Sequence, residues 1–157
     1  MKPISASSAT TGPELTHVVL EVLGDLAFML TDDQPTDWPA GTAWLQGEVS
    51  YRGVVAGTLR CWCTRDFAAR LAANLLGIEA EQGAAQVAAE DAVREFLNVL
   101  CGQLITVWHG TRSVFDLSIP RVHECAAAPA PDGIPARHVC RLSVENEPLL
   151  CTFHQDA

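Results

Sequence analysis

Asp91-Ala92-Val93-Arg94-Glu95-Phe96-Leu97-Asn98-Val99-Leu100-Cys101-Gly102 separates into two faces when it is wound as a helix. At ~100° per residue, Val93, Leu97, Leu100 and Leu104 gather on one side, with Phe96 at its edge. Asp91, Glu95, Asn98, Gly102 and His109 gather on the other. Glu95 and Asn98, three apart, are neighbours on the helix surface, so both side chains reach toward one external object. Gly102 stands one turn beyond Asn98 and removes a side chain from the same face. Glycine in mid-helix costs about 1 kcal/mol relative to alanine. Close approach by another surface is one reason to bear that cost, and packing between two helices is another. A Glu and an Asn on an exposed face are also, more plainly, ordinary solvated residues.

Outward from this helix, expected over 88–109, the chain reads as alternating blocks. On its N-terminal side, Phe67, Leu71, Leu75 and Leu76 mark another helix, with Thr64 at the N-cap, Asp66 in the first turn and Gly77 as the stop. A short Ala/Glu/Gln/Gly linker joins the two. Before them, 43–51 and 54–63 form a hairpin around Arg52-Gly53. A first helix begins near Pro13 and carries Leu15, Val18, Val19, Val22, Leu23, Leu26 and Leu30 at helical spacing. A loop follows over 31–41. On the C-terminal side, strands are expected over 115–124, 137–145 and 149–154, with a Pro/Ala/Gly loop before the second and a turn at 146–148. The order α-ββ-α-α-βββ predicts an α/β (α+β) fold with helices packed on a largely antiparallel sheet.

The first helix is similar in pattern to the fourth block, as an internal repeat or as a chance likeness between two amphipathic helices. Shifted by 74 positions, Val22, Leu23, Leu26 and Leu30 fall on Phe96, Leu97, Leu100 and Leu104. Glu21 falls on Glu95, Gly24 on Asn98 and Phe28 on Gly102, which suggests two related helices with similar outer faces. Only the second keeps both carboxylate and amide.

Composition narrows the functional classes. A chain of 157 residues with 48% hydrophobic and 18% charged residues is expected to be one globular domain, 13–157, behind a flexible leader, 1–12. A formal charge of −9 with Lys2 as the single lysine argues against a nucleic-acid partner. The stretch 18–30 is interrupted by Glu21, Gly24 and Asp25 and is too short and polar for membrane insertion. A cytoplasmic location is expected. Cys61, Cys63, Cys101, Cys125, Cys140 and Cys151 lack CxxC spacing and read as reduced, buried apolar side chains, with no bound metal. A zinc or thiol site built from Cys61, Cys63, His123 and Cys125 is the competing reading. His17 and His109 fall on solvated helix faces. No Gly-rich phosphate loop or GxSxG elbow is present.

The helix 91–102 resembles that of the CheC/CheX-like chemotaxis phosphatases, whose pattern is Glu-x-x-Asn followed by glycine four residues later. Residues 67–77 are similar to the preceding helix of that family, and 115–122 to the strand entry after it. The resemblance, extending over about 14–154, implies a CheX-like fold and dephosphorylation of a CheY-like response-regulator receiver, in chemotaxis or a related two-component pathway. It implies that Asn98 orients a water for in-line attack on the aspartyl phosphate and that Glu95 pairs with a receiver lysine. Asp91, Arg94 and Gly102 complete the partner-contact face. Mg²⁺ is implied to come with the receiver, with no cofactor bound by this chain, and a homodimer is expected. The physics agrees, since phosphoryl transfer needs mainly positioning and charge neutralisation. Two departures stand out. Gly24 replaces the first-helix asparagine of two-site members, so one site per chain is expected. Arg94 stands where the family commonly has glycine, which bears on which receiver is accepted. A non-catalytic receiver-binding adaptor on the same scaffold, like the related middle domain of flagellar switch proteins, is the alternative.

Overall fold

A computed structural model describes residues 14–32 and 43–156. The expected leader, the helix start at Pro13 and most of the loop over 31–41 lie outside these residues. Helix α1 (Leu15–Ala27) leads into the hairpin β1 (Trp44–Arg52) and β2 (Ala56–Thr64). Three helices follow, α2 (Arg65–Leu76), α3 (Gly83–Val87) and α4 (Ala89–His109). Strands β3 (Asp116–Leu117), β4 (Arg121–Cys125), β5 (Val139–Val144) and β6 (Glu147–Gln155) complete the chain.

The sheet is antiparallel, with β1, β2, β6 and β5 side by side and both β3 and β4 along the outer edge of β1. Alternation along β1 explains its placement. Leu45, Val49 and Tyr51 turn toward the helices and are buried, with Gly47 between them, while Glu48 and Ser50 turn the other way. Gly47 permits close helix contact: a Cβ there would meet Leu97 Cδ1 at 2.5 Å and Val93 Cγ1 at 3.1 Å. On the far face a smaller cluster of Trp44, Trp62 and Leu150 packs beneath Cys125, Ala128 and Val139.

α1 precedes the β1–β2 hairpin but packs against β5 and β6, whereas α4 packs chiefly on β1 and also on β2 and on β4 of its own half. The two hairpins meet where β2 pairs β6, Arg60 opposite Thr152. α1 thus covers strands of the other half and α4 covers strands of both, a placement that local sequence does not reveal.

Four expectations need correction. The first helix ends at Ala27 rather than near Leu30, because Phe28 takes a left-handed conformation (φ 55°) and its N–H donates to Gly24 O. Met29 enters the core, while Leu30 is 76% exposed. The linker before α4 contains α3. The single strand expected over 115–124 is divided into β3 and β4, because Pro120 cannot donate to the ladder. The last hairpin turns at Glu145-Asn146, both at positive φ (50° and 69°), rather than over 146–148. That conformation suits a two-residue turn. Asp32 secures it, its Oδ2 accepting from the Asn146 N–H at 2.6 Å and Ser143 Oγ at 2.7 Å.

Candidate functional site

α4 is held by its apolar side. Val93, Phe96, Leu97, Leu100, Leu104 and Trp108 are buried against the sheet and neighbouring helices. Burying each such side chain contributes ~1.5–3 kcal/mol, which is ample to fix the helix's rotation. The opposite ridge follows from that rotation. Asp91, Glu95 and Asn98 are exposed along it. Among the described residues, neither the Glu95 nor the Asn98 side chain has a hydrogen-bond or ion-pair partner. A carboxylate and an amide so placed keep their full bonding capacity for an incoming surface.

Gly102 extends this ridge. Its absent Cβ would meet nothing within 4 Å, so packing between two helices of this chain does not explain the glycine. Thr106 Oγ1 donates back to the Gly102 carbonyl at 3.0 Å.

Arg94 is restrained. Its Nη1 donates to Asp91 Oδ1 at 2.6 Å, and Nη2 lies 3.7 Å from Glu90 Oε1. Glu90 also accepts from Arg65 Nη2 at 3.0 Å, and Arg65 reaches Glu124 of β4 at 2.6 Å. The Glu124 hydrogen bond holds the Arg65 guanidinium above its ordinary pKa. These alternating charges tie the N-terminal ends of α2 and α4 to the edge strand. Arg94 is therefore drawn along the ridge, beside Glu95 rather than over it.

The residues missed by sequence reasoning lie opposite. An open groove of about 470 Å³ is lined by Asp91, Arg94, Glu95 and Asn98 on one side and Leu117, Ser118, Ile119 and Pro120 on the other. The groove is shallow, without an enclosed chamber for a small substrate. The signal was present in Pro120, which breaks the strand at this point.

His109 departs from expectation. It is partly buried rather than solvated, with Nε2 3.5 Å from Tyr51 Oη and its ring 5.3 Å from that of Phe115. Burial lowers its pKa. The alternative zinc set does not come together: Cys61 and Cys63 are buried facing the helices, whereas Cys125 pairs with Trp44 and belongs to the far-face cluster. Burial pushes the Cys61 thiol up to about 12, an inert rather than nucleophilic state. All six cysteines are free, and Cys125 alone is not fully buried.

Fold and ridge together define a class: an α+β protein that presents polar side chains from an exposed helix instead of enclosing a substrate. The family pattern described as "Chemotaxis phosphatase CheX" matches residues 45–130, more than half of the chain. The chain belongs to the CheX family.

Solved structures share the fold. A CheC-like superfamily protein from Shewanella sp. PV-4 superposes with a TM-score of 0.65 at 13% identity, covering 92% of this chain and 96% of that one. The chemotaxis protein CheX from Desulfovibrio desulfuricans gives 0.64 at 16% identity, over 90% and 96%. CheX in a CheX–CheY–BeF3–Mg²⁺ complex from Borrelia burgdorferi gives 0.59 at 15% identity, over 91% and 96%. Among curated proteins, none matches this sequence. No helix among the described residues is long and apolar enough to cross a membrane.

Proposed function

We propose that this chain removes the phosphoryl group from the aspartyl phosphate of a CheY-like receiver, with Asn98 and Glu95 as its working residues. The observation that carries the reading is the free, exposed Glu95–Asn98 pair on α4, bordered by an open groove. The Asn98 amide accepts from and donates to a water, holding its oxygen in line with the phosphorus. That oxygen bonds to phosphorus as the bond to the aspartyl oxygen breaks, leaving inorganic phosphate and a free receiver carboxylate. A neutral amide suits this task, because a carboxylate in the same place would repel the phosphoryl oxygens. Glu95 sits on the outer side and pairs with a receiver lysine. Gly102 lets the partner approach the helix backbone, and Asp91 and Arg94 flank the contact.

The Mg²⁺ that neutralises phosphoryl charge is assigned to the receiver. The reading takes residues 13–157 as one CheX-like domain acting in the cytoplasm as a homodimer, with one site per chain because Gly24 lacks the amide.

The test is phosphate release from a phosphorylated receiver of the same genome with Mg²⁺ present. The wild type is expected to accelerate release, and Asn98→Ala to remove the acceleration. Binding that persists in both, with no acceleration by the wild type, would favour the adaptor reading. The restrained Arg94 beside the pair is the observation that keeps that reading in play.

A further inference from the structure

The segment facing Glu95 and Asn98 is built as a β-bulge. Tyr51 pairs with Leu117, and Glu48 with Arg121. Between these pairs β1 supplies Val49 and Ser50, whereas the edge chain supplies Ser118, Ile119 and Pro120. The extra residue bends the edge outward and re-aims a side chain, a use of bulges common beside functional sites.

The bulge is clamped. The Ser118 N–H donates to Ser50 O at 2.8 Å, and the Ser50 N–H donates to Ser118 Oγ at 2.9 Å. Pro120 adds a fixed φ. The side chain so held is Ile119, which is 84% exposed, with Leu117 beside it at 37%. Elsewhere the same edge carries charge, as sheet edges usually do. Arg121 pairs with Glu48 and Glu124 with Arg65. Apolar residues interrupt that charged edge where it borders the groove containing Glu95 and Asn98.

We infer that Ile119 is a docking residue that selects the receiver by seating against an apolar patch beside its phosphoaspartyl pocket. This rests on the phosphatase reading above. The occupant follows from geometry: Ile119 and Asn98 line one open groove, so a body whose phosphoryl group reaches Asn98 closes over the bulge. A β-branched side chain on a clamped backbone has few rotamers to lose on being covered, so its burial goes largely into affinity.

Steady-state dephosphorylation of a phosphorylated receiver by Ile119→Asp, Ile119→Val and Asn98→Ala separates docking from chemistry. Ile119→Asp is expected to raise KM roughly tenfold with kcat nearly unchanged, on the scale of withdrawing one buried aliphatic side chain. Ile119→Val should stay near the wild type, and Asn98→Ala should lose kcat while keeping KM. An unchanged KM in Ile119→Asp overturns the inference, as does a fall in kcat alone. A change confined to sedimentation mass would assign Ile119 to contact between two copies of the chain and overturn it as well. If the wild type releases no phosphate, the phosphatase reading fails and this assignment with it; wild-type activity with a normal Ile119→Asp removes only the second.

Discussion

α1 and α4 share an apolar spacing on one face, and they differ in what the opposite face presents. Both bury an apolar stripe on the same face of the sheet, α1 against β5 and β6 and α4 chiefly against β1. Glu21 is exposed as Glu95 is, and Gly24, like Gly102, has open space where a Cβ would go. Yet α1 has glycine where α4 has Asn98. Glu21 is engaged by His17 at 3.4 Å, whereas Glu95 has no partner among the described residues. The ends differ too. α1 stops at a left-handed Phe28 that is 80% exposed, while the tail of α4 is set among Tyr51, Phe115, His138 and Phe153. Similar helices can thus be held by similar apolar stripes and still present different chemistry, because the exposed face is the one that packing does not use.

The largest expected effect that would break this comparison is chemical. Asn98→Ala should lower receiver dephosphorylation about a hundredfold or more, the scale of removing one positioned polar group from a transition state. Mutation of Glu21 on α1 should leave the rate unchanged. Equal losses from the two helices in phosphate-release assays would mean that α1 is also a working face.

Next comes the contact that seats α4. Gly47→Ala places a methyl group against Leu97 and Val93, so a loss of ~1–3 kcal/mol by overpacking is expected. Urea denaturation would read it as a lower midpoint. A wild-type midpoint would show that α4 has freedom to shift.

The two helical glycines give a finer test. Gly24→Ala and Gly102→Ala should each stabilise the fold by up to about 1 kcal/mol, since neither new methyl group meets a neighbour. Activity should divide them, with Gly24→Ala neutral and Gly102→Ala raising KM. Identical kinetics would detach Gly102 from the partner surface.

The smallest expected effect concerns the tail of α4. Burial lowers the pKa of His109 and of His138, the latter also through Arg137, from an ordinary value of 6.5. The unfolded chain therefore takes up protons first as pH falls. The stability these groups contribute is complete above about 6.5 and declines below it, toward the folded-state values. Urea midpoints at pH 7.5 and 5.5 should accordingly fall less in His109→Gln and His138→Gln than in the wild type. An equal fall in all three would leave the decline to other groups.

Much of this could be read from residues in order. Period and caps gave the long helices, because Thr64 and Gly77 act within one turn of their own positions: Thr64 Oγ1 accepts from the Phe67 N–H, and Gly77 adopts φ 72°. The ridge was legible for the same reason, since an angle around a helix axis depends on spacing alone. What failed were features set by distant partners. The end of α1 depends on where Met29 finds a core, and β3 and β4 depend on their register against β1. His109 looked solvated because nothing adjacent in sequence announces Tyr51 and Phe115.

Residue spacing alone makes α4 a two-faced helix with Glu95, Asn98 and Gly102 on its polar side, since helical geometry maps spacing directly onto direction. The sequence also carries the apolar spacing that α1 and α4 share. Long-range pairing set which strands each helix covers and placed a clamped bulge with Ile119 across the groove from Asn98. Those outcomes depend on register between segments far apart in the chain, where a shift of one residue turns every side chain to the other face.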